Sequence, residues 1–245
     1  MDEGILDYLN IKRRPVQEIW ASILEEGKLD KKIFQVVREK YGEGVFNDFR
    51  ISARRIATCP YYDLLYSEEY GSHYYLRGKL FEEALIDILS RSRGLEISER
   101  NPYLFTRIEL EEKIKGYRYA IVHGFPDAIM KRRDKIYVVE AKSSFSSPMI
   151  ISRLSQAAVY LWLYERMYST KPKGILIAYL EERDPPIALR EIENTRDLED
   201  RIKRRIKEYL LVSKSPVDKR LCDVCPLRDR CEFRTGSPYQ GKKRS

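Results

Sequence analysis

A mixed α/β fold, one sheet flanked by helices, is predicted by the order of periodicities along the chain. Up to about residue 93 the apolar positions recur at helical spacing. From Leu95 the period changes, and LEISER, YLFTRIELEE, GYRYAIVHG and KIYVVEAKS read as strands rich in β-branched and aromatic residues. Helix, strand and helix then follow in turn. With 245 residues, 43% of them hydrophobic and 34% charged, the chain can bury a full core and is too apolar for wholesale disorder.

The elements are justified in order. Residues 2–50 are expected to be a helical arm, carried by Ile5, Leu6 and Leu9 and later by Ile19, Ile23 and Leu24. A second helical region, SARRIATCPYYDLLYS, begins near Ser52 and is interrupted at Pro60. In RGKLFEEALIDILSR, Leu80, Phe81, Ala84, Leu85, Ile88 and Leu89 form one apolar stripe. Ser147-Pro148 supplies a cap and a first-turn proline for a helix running to about Tyr168. KGILIAYLE (173–181) is a further core strand. Residues 195–213 form an amphipathic helix with Leu198, Ile202, Ile206 and Leu210 inward. A cysteine-bearing segment and a basic, disordered tail, GKKRS, close the chain.

Bulk charge narrows the partners. Lys and Arg total 46 against 38 Asp and Glu, a formal charge of +8, which favours polyanions through steering and counterion release. Nucleic acid ranks ahead of membrane, because no strongly basic helix carries an exposed aromatic face. MDEGILDYLN lacks a basic stretch followed by an apolar one, so no secretory signal is expected. The densest apolar stretch, AAVYLWLY (157–164), is too short to cross a bilayer, and a cytoplasmic location is expected.

The segment GFPDAIMKRRDKIYVVEAKSS (124–144) poses a problem. IYVV is apolar on both faces, yet it runs directly into Glu140 and then Lys142. Burying such groups at the end of a core strand is costly unless they are paired. MKRRDK reads as a hairpin turn. An even loop, either Arg132-Arg133 or Lys131 through Asp134, puts Asp127 opposite Val138 and diagonal to Glu140. Asp127, Glu140 and Lys142 then share one face, whereas an odd loop without a bulge would throw Asp127 to the other. Two carboxylates and a lysine so placed suit Mg²⁺ or Mn²⁺ and phosphodiester hydrolysis. A bare E-x-K would more often be a salt bridge at a strand end.

The triplet is not bare. On the following helix Gln156 and Tyr160 stand four residues apart and share a face. Together P-D…E-x-K…Q-x-x-x-Y resembles the PD-(D/E)xK nuclease superfamily, and its RecB-like branch in particular. The resemblance implies a restriction-endonuclease-like sheet, metal binding by Asp127 and Glu140, assistance to the attacking water by Lys142, and support and DNA contact by Gln156 and Tyr160. That branch carries a histidine ligand in an upstream G-x-x-x-H. Here Gly78-Lys79-Leu80-Phe81-Glu82 keeps the spacing with glutamate in its place, which makes Glu82 the candidate third ligand. His123, four residues before Asp127, is read as structural.

The chain has four cysteines, Cys59 alone and Cys222, Cys225 and Cys231 as C-x2-C-x5-C. In a cytosolic protein this grouping argues for metal before disulfide, and four thiolates serve either tetrahedral zinc or an iron–sulfur cluster. A lone cysteine before the nuclease motifs and three after them is similar to the CRISPR-associated RecB-like exonucleases with an iron–sulfur cluster. That likeness implies all four cysteines as ligands of a [4Fe-4S] cluster, ahead of a [2Fe-2S] one. It also implies single-stranded DNA ends as substrate, 5′ to 3′ action, and work beside the CRISPR integrase complex in spacer acquisition. The alternatives are a repair or viral RecB-like nuclease without that role, or a non-catalytic DNA-binding adaptor. The division expected is a helical extension over 1–50, a nuclease domain with its cluster over 51–233, and the basic tail over 234–245. Closing the loop from residue 59 to residue 231 makes the cluster a structural clip. Arg54, Arg55, Tyr61 and Tyr62 flank Cys59, where they could meet phosphates and bases.

Overall fold

A computed structural model describes residues 35–58, 72–143, 150–179, 187–193 and 197–211, together with Cys222. Eight strands and four labelled helices lie among them. A three-stranded sheet has the order β1 (Phe49–Ser52), β4 (Tyr117–Gly124), β3 (Leu104–Ile114), with β1 parallel and β3 antiparallel to β4. A five-stranded sheet runs β2 (Glu96–Arg100), β5 (Ala128–Arg132), β6 (Lys135–Lys142), β7 (Lys173–Tyr179), β8 (Ile187–Ile192). Only β6 and β7 are parallel in that sheet, and α3 (Ile150–Tyr168) is the crossover between them. The class is therefore mixed α/β, consistent with a restriction-endonuclease-like fold.

The apolar run of β6 is explained by helices on both of its faces. Val138, with Ile129 and Leu176, packs in a cluster that includes Val159 and Leu163 of α3. Val139, with Ala128, Met130 and Ile175, packs against Leu85, Ile86 and Leu89 of α2 (Ser72–Arg93). A strand covered on both sides has no reason to alternate. On α2 the buried residues are Ala84, Leu85, Ile86 and Leu89, while Leu80, Phe81 and Ile88 of the expected stripe are only half-buried.

Where the chain departs from the sequence reading, tertiary pairing overrides local pattern. Residues 2–50 were expected to be helical. Among the described part, 35–41 is helical and Glu43–Asn47 is a 3-10 turn, but Phe49–Ser52 is a strand paired with β4. Within the described residues, the helical region expected from Ser52 contains the short α1 (Ala53–Ala57), whose first turn Ser52 caps by accepting from the Arg55 N–H at 3.3 Å. β8 was not anticipated. It carries IALREI with charged Arg190 and Glu191 before its last residue, and it can do so because it is an edge strand. The segments holding Pro60, Ser147-Pro148 and the basic tail lie outside the described residues.

Two contacts fix the periphery. Arg107 on β3 forms a two-pronged ion pair with buried Asp48, at 2.8 and 3.1 Å, and its guanidinium lies 3.9 Å from the Tyr119 ring centre. It ties the stretch before β1 onto the small sheet, where Val37 and Val45 pack with Phe105 and Ile121. On α4 (Leu198–Leu211) the predicted inward residues, Leu198, Ile202, Ile206 and Leu210, are all buried. From that helix Arg205 donates to the carbonyls of Ile56, at 3.1 Å, and Thr58, so α4 holds the C-terminal end of α1.

Gly124, the last residue of β4, faces α3 at close quarters. A Cβ there would lie 2.5 Å from Tyr160 Cε1 and 3.1 Å from Ala53 Cβ. Tyr160 is buried and cannot swing away freely. Gly124→Ala is expected to cost about 1–3 kcal/mol in denaturant unfolding, the usual range for overpacking. A melt indistinguishable from the parent would show that Tyr160 has room the geometry denies it.

Candidate active site

The β5–β6 hairpin turns through Arg133 and Asp134, with Arg132 paired to Lys135. Arg133 takes a left-handed conformation, φ 56°. The loop is even, as expected, but it sits one residue later than either loop considered. Ile129, not Asp127, is opposite Val138, and Ala128 is opposite Val139. Continuing that register puts Asp127 level with Glu140 instead of diagonal to it. A shift of two residues conserves the face, so the convergence survives the correction. Asp127 is held by its own carboxylate: Oδ2 accepts the Ala141 N–H at 2.7 Å.

Glu140 and Lys142 point to the α3 side of the sheet, the side of Val138. There Gln156 Nε2 donates to the Tyr160 hydroxyl at 3.0 Å, and both side chains are buried. Glu82 comes in from α2. Lys142 pairs with Glu140 and lies 3.6 Å from Glu82 Oε1; Lys79 lies 3.8 Å from Glu82 Oε2 and 3.8 Å from Asp127 Oδ1. Acidic and basic side chains therefore alternate along Glu140, Lys142, Glu82, Lys79 and Asp127. Lys79 was not singled out from the sequence, although its place one turn before Glu82 was a signal. His123 lies on β4, where it contacts the Tyr103 ring at 5.9 Å. Cys222 is buried, while Cys59, Cys225 and Cys231 fall outside the described residues, as do Tyr61 and Tyr62.

Burial dominates the electrostatics. Desolvation pushes the Glu140 carboxyl up to about 8, against the pull of Lys142 and with the push of Asp127 and Glu82. Glu82 is raised for the same leading reason. Burial alone would lower Lys142, but Glu140, Asp127 and Glu82 together outweigh it, so the ammonium is held more firmly than usual. Burial and the nearby Glu140 raise Tyr160, which stays a protonated donor. Glu140 Oε2 is buried with no hydrogen-bond partner. Among the described residues, no three His, Cys, Asp or Glu side chains are gathered closely enough to hold an ion as they stand. Two ammonium groups occupy the space between the carboxylates. The donor set is all oxygen with one orphaned carboxylate oxygen, which fits a hard divalent cation.

Residues 61–232 match the model of the PD-(D/E)XK nuclease superfamily. The chain belongs to that superfamily. Pro126-Asp127 and Glu140-Ala141-Lys142 supply the residue types its name spells. Among solved structures, the crystal structure of SSO0001 matches with a TM-score of 0.55 at 22% identity, covering 83% of this chain and 96% of that one. The alkaline exonuclease LHK-Exo from Laribacter hongkongensis is more distant, with a TM-score of 0.40 and 13% identity over 66% of this chain and 87% of its own. No curated protein matches the chain.

A raised carboxyl stabilises the fold only while protonated. The contribution of Glu140 is therefore complete below its ordinary 4.5 and is lost as pH rises through about 8. Without divalent metal, the melting temperature is expected to fall as pH rises from about 5 to about 8, and Glu140→Gln should flatten that fall. Parallel pH profiles for the two proteins would contradict the assignment.

Proposed function

We propose that the protein is a divalent-metal-dependent deoxyribonuclease whose catalytic centre is the cluster at the end of β6. The observation that carries this reading is Glu140: a buried carboxylate with an unpartnered oxygen, level with Asp127 and paired to a lysine two residues on. A structural salt bridge would satisfy both carboxylate oxygens or stay in solvent.

In this reading Asp127, Glu140 and Glu82 hold Mg²⁺ or Mn²⁺. The bound ion supplies Lewis acidity at the phosphoryl oxygen and a more acidic water. Lys142, kept charged by three surrounding carboxylates, orients the attacking water and offsets charge developing on the phosphate. Asp127 stays in place because the Ala141 N–H fixes one of its oxygens and leaves the other directed at the cluster. The Gln156–Tyr160 pair braces the wall of the pocket and presents neutral donors to the strand.

The finer reading is an exonuclease acting 5′ to 3′ on single-stranded DNA ends, in the cytoplasm, beside the CRISPR integrase complex in spacer acquisition. It rests on the resemblance carried by the cysteine set. The clip it requires is supported by the peptide contacts around it. Arg205 on α4 grips the carbonyls of Ile56 and Thr58, immediately before Cys59, and the chain proceeds from α4 to Cys222. Thiolates at 59, 222, 225 and 231 would bind a [4Fe-4S] cluster, tying the segment after α1 to the segment after α4.

Two tests follow. Glu140→Ala and Lys142→Ala are each expected to lower Mg²⁺- or Mn²⁺-dependent cleavage of end-labelled single-stranded DNA by about 10²-fold or more, while visible absorbance is retained. Cleavage at the parent rate by either variant would remove this site from the chemistry. Separately, anaerobically purified protein is expected to be brown, and Cys59→Ala or Cys231→Ala to lose colour and melting temperature together. A colourless parent would favour zinc, and loss of colour with unchanged melting would refute a structural clip.

A further inference from the structure

One charged group in the cluster has no task in the mechanism above. Lys79 lies 3.8 Å from Asp127 Oδ1 and 3.8 Å from Glu82 Oε2. Both distances exceed those of a directional N–H···O hydrogen bond, so the attraction is mainly of charge for charge. Lys142 is the deeper of the two lysines. It projects from the middle of a five-stranded sheet, contacts Glu140 directly, and its side chain is 11% exposed against 25% for Lys79.

We propose that Lys79 is a substrate-binding residue that closes the metal pocket of the free protein and, when a divalent cation displaces it from Asp127 and Glu82, pairs with a backbone phosphate of the DNA strand. The inference rests on the nuclease reading and assigns that site a further residue. Asp127 and Glu82 cannot hold a divalent cation between them while an ammonium lies there, because like charges at such separations repel. Of the two lysines, the one nearer solvent on a flexible stem gives way.

The place to which it withdraws is set by the fold. Gly78 comes against the end of β6, where an added Cβ would lie 3.5 Å from Ser143 Oγ, so the backbone of α2 borders the pocket where Lys79 begins. A lysine released there stays at the rim and meets the anionic backbone of whatever strand the metal binds. Arg153 lies three residues before Gln156 and seven before Tyr160, hence on the same side of α3. It is near enough to Glu82 and Lys142 to be felt by both. Positive charge thus borders the carboxylates from α2 and α3 alike, as a phosphate-binding mouth requires.

The test separates metal from DNA. Mn²⁺ binding to parent, Lys79→Ala and Lys79→Arg is titrated by electron paramagnetic resonance, and KM for a single-stranded oligonucleotide is measured across a potassium chloride series. Removing the competing ammonium is expected to tighten Mn²⁺ binding in Lys79→Ala by about three- to tenfold. Its KM should rise about tenfold, by a larger factor than kcat falls, with the salt slope reduced by about 0.7, the value of one single-strand phosphate contact. Lys79→Arg should recover most of the KM. Unchanged or weaker Mn²⁺ binding in Lys79→Ala, or an unchanged KM and salt slope, overturns the proposal while leaving the nuclease reading intact. A parent that binds Mn²⁺ but cleaves no DNA overturns that reading, and the phosphate contact with it.

Discussion

The burial of Glu140 and Lys142 at the end of β6 is the constraint around which the rest of the structure is arranged. An ion pair taken out of water loses hydration that mutual attraction recovers only if further partners are present. Here Glu82 from α2 pairs with Lys142, and Lys79, also from α2, links Glu82 to Asp127 from the segment preceding β5. Acidic and basic side chains alternate, yet one Glu140 oxygen is still left without a partner. A protein selected for stability alone would have filled that position with an apolar side chain. On the proposed reading, the unmet oxygen is a position for the divalent cation.

The scaffold serves that placement. Helices cover both faces of β6, so the strand can be apolar along its length and still end in charge. The parallel β6–α3–β7 crossover returns α3 over the same face that Glu140 and Lys142 present. Gly124 lets Tyr160 approach the end of β4, beside the chain that leads to Asp127. Each feature brings a side chain from a distant part of the sequence to the end of β6, the central strand of the five-stranded sheet.

Much of this site was legible in the sequence because it depends on parity. Side chains alternate along a strand, so any even hairpin loop brings Asp127 to the face of Glu140, and the true turn at Arg133-Asp134 differs from the alternatives only by a shift of two. Helical spacing likewise exposed the Gln156–Tyr160 pair and the inward residues of α4. What was not legible depends on pairing between distant segments. Phe49–Ser52 is a strand because β4 offers it an edge, not because of its own composition. IALREI carries charged Arg190 and Glu191 before its last residue, and its position at the sheet edge lets it pair as a strand. Lys79 resembled an ordinary solvated helix residue until the fold set it against Asp127.

The central claim is that the alternating carboxylates and lysines are the resting form of a cation site. Anomalous diffraction from crystals grown with Mn²⁺ tests it most directly. The account predicts a manganese peak bound by Asp127 and Glu140, with the Lys79 ammonium withdrawn from Asp127. Manganese bound elsewhere, with Glu140 still paired only to Lys142 and Asp127 still facing Lys79, would contradict it.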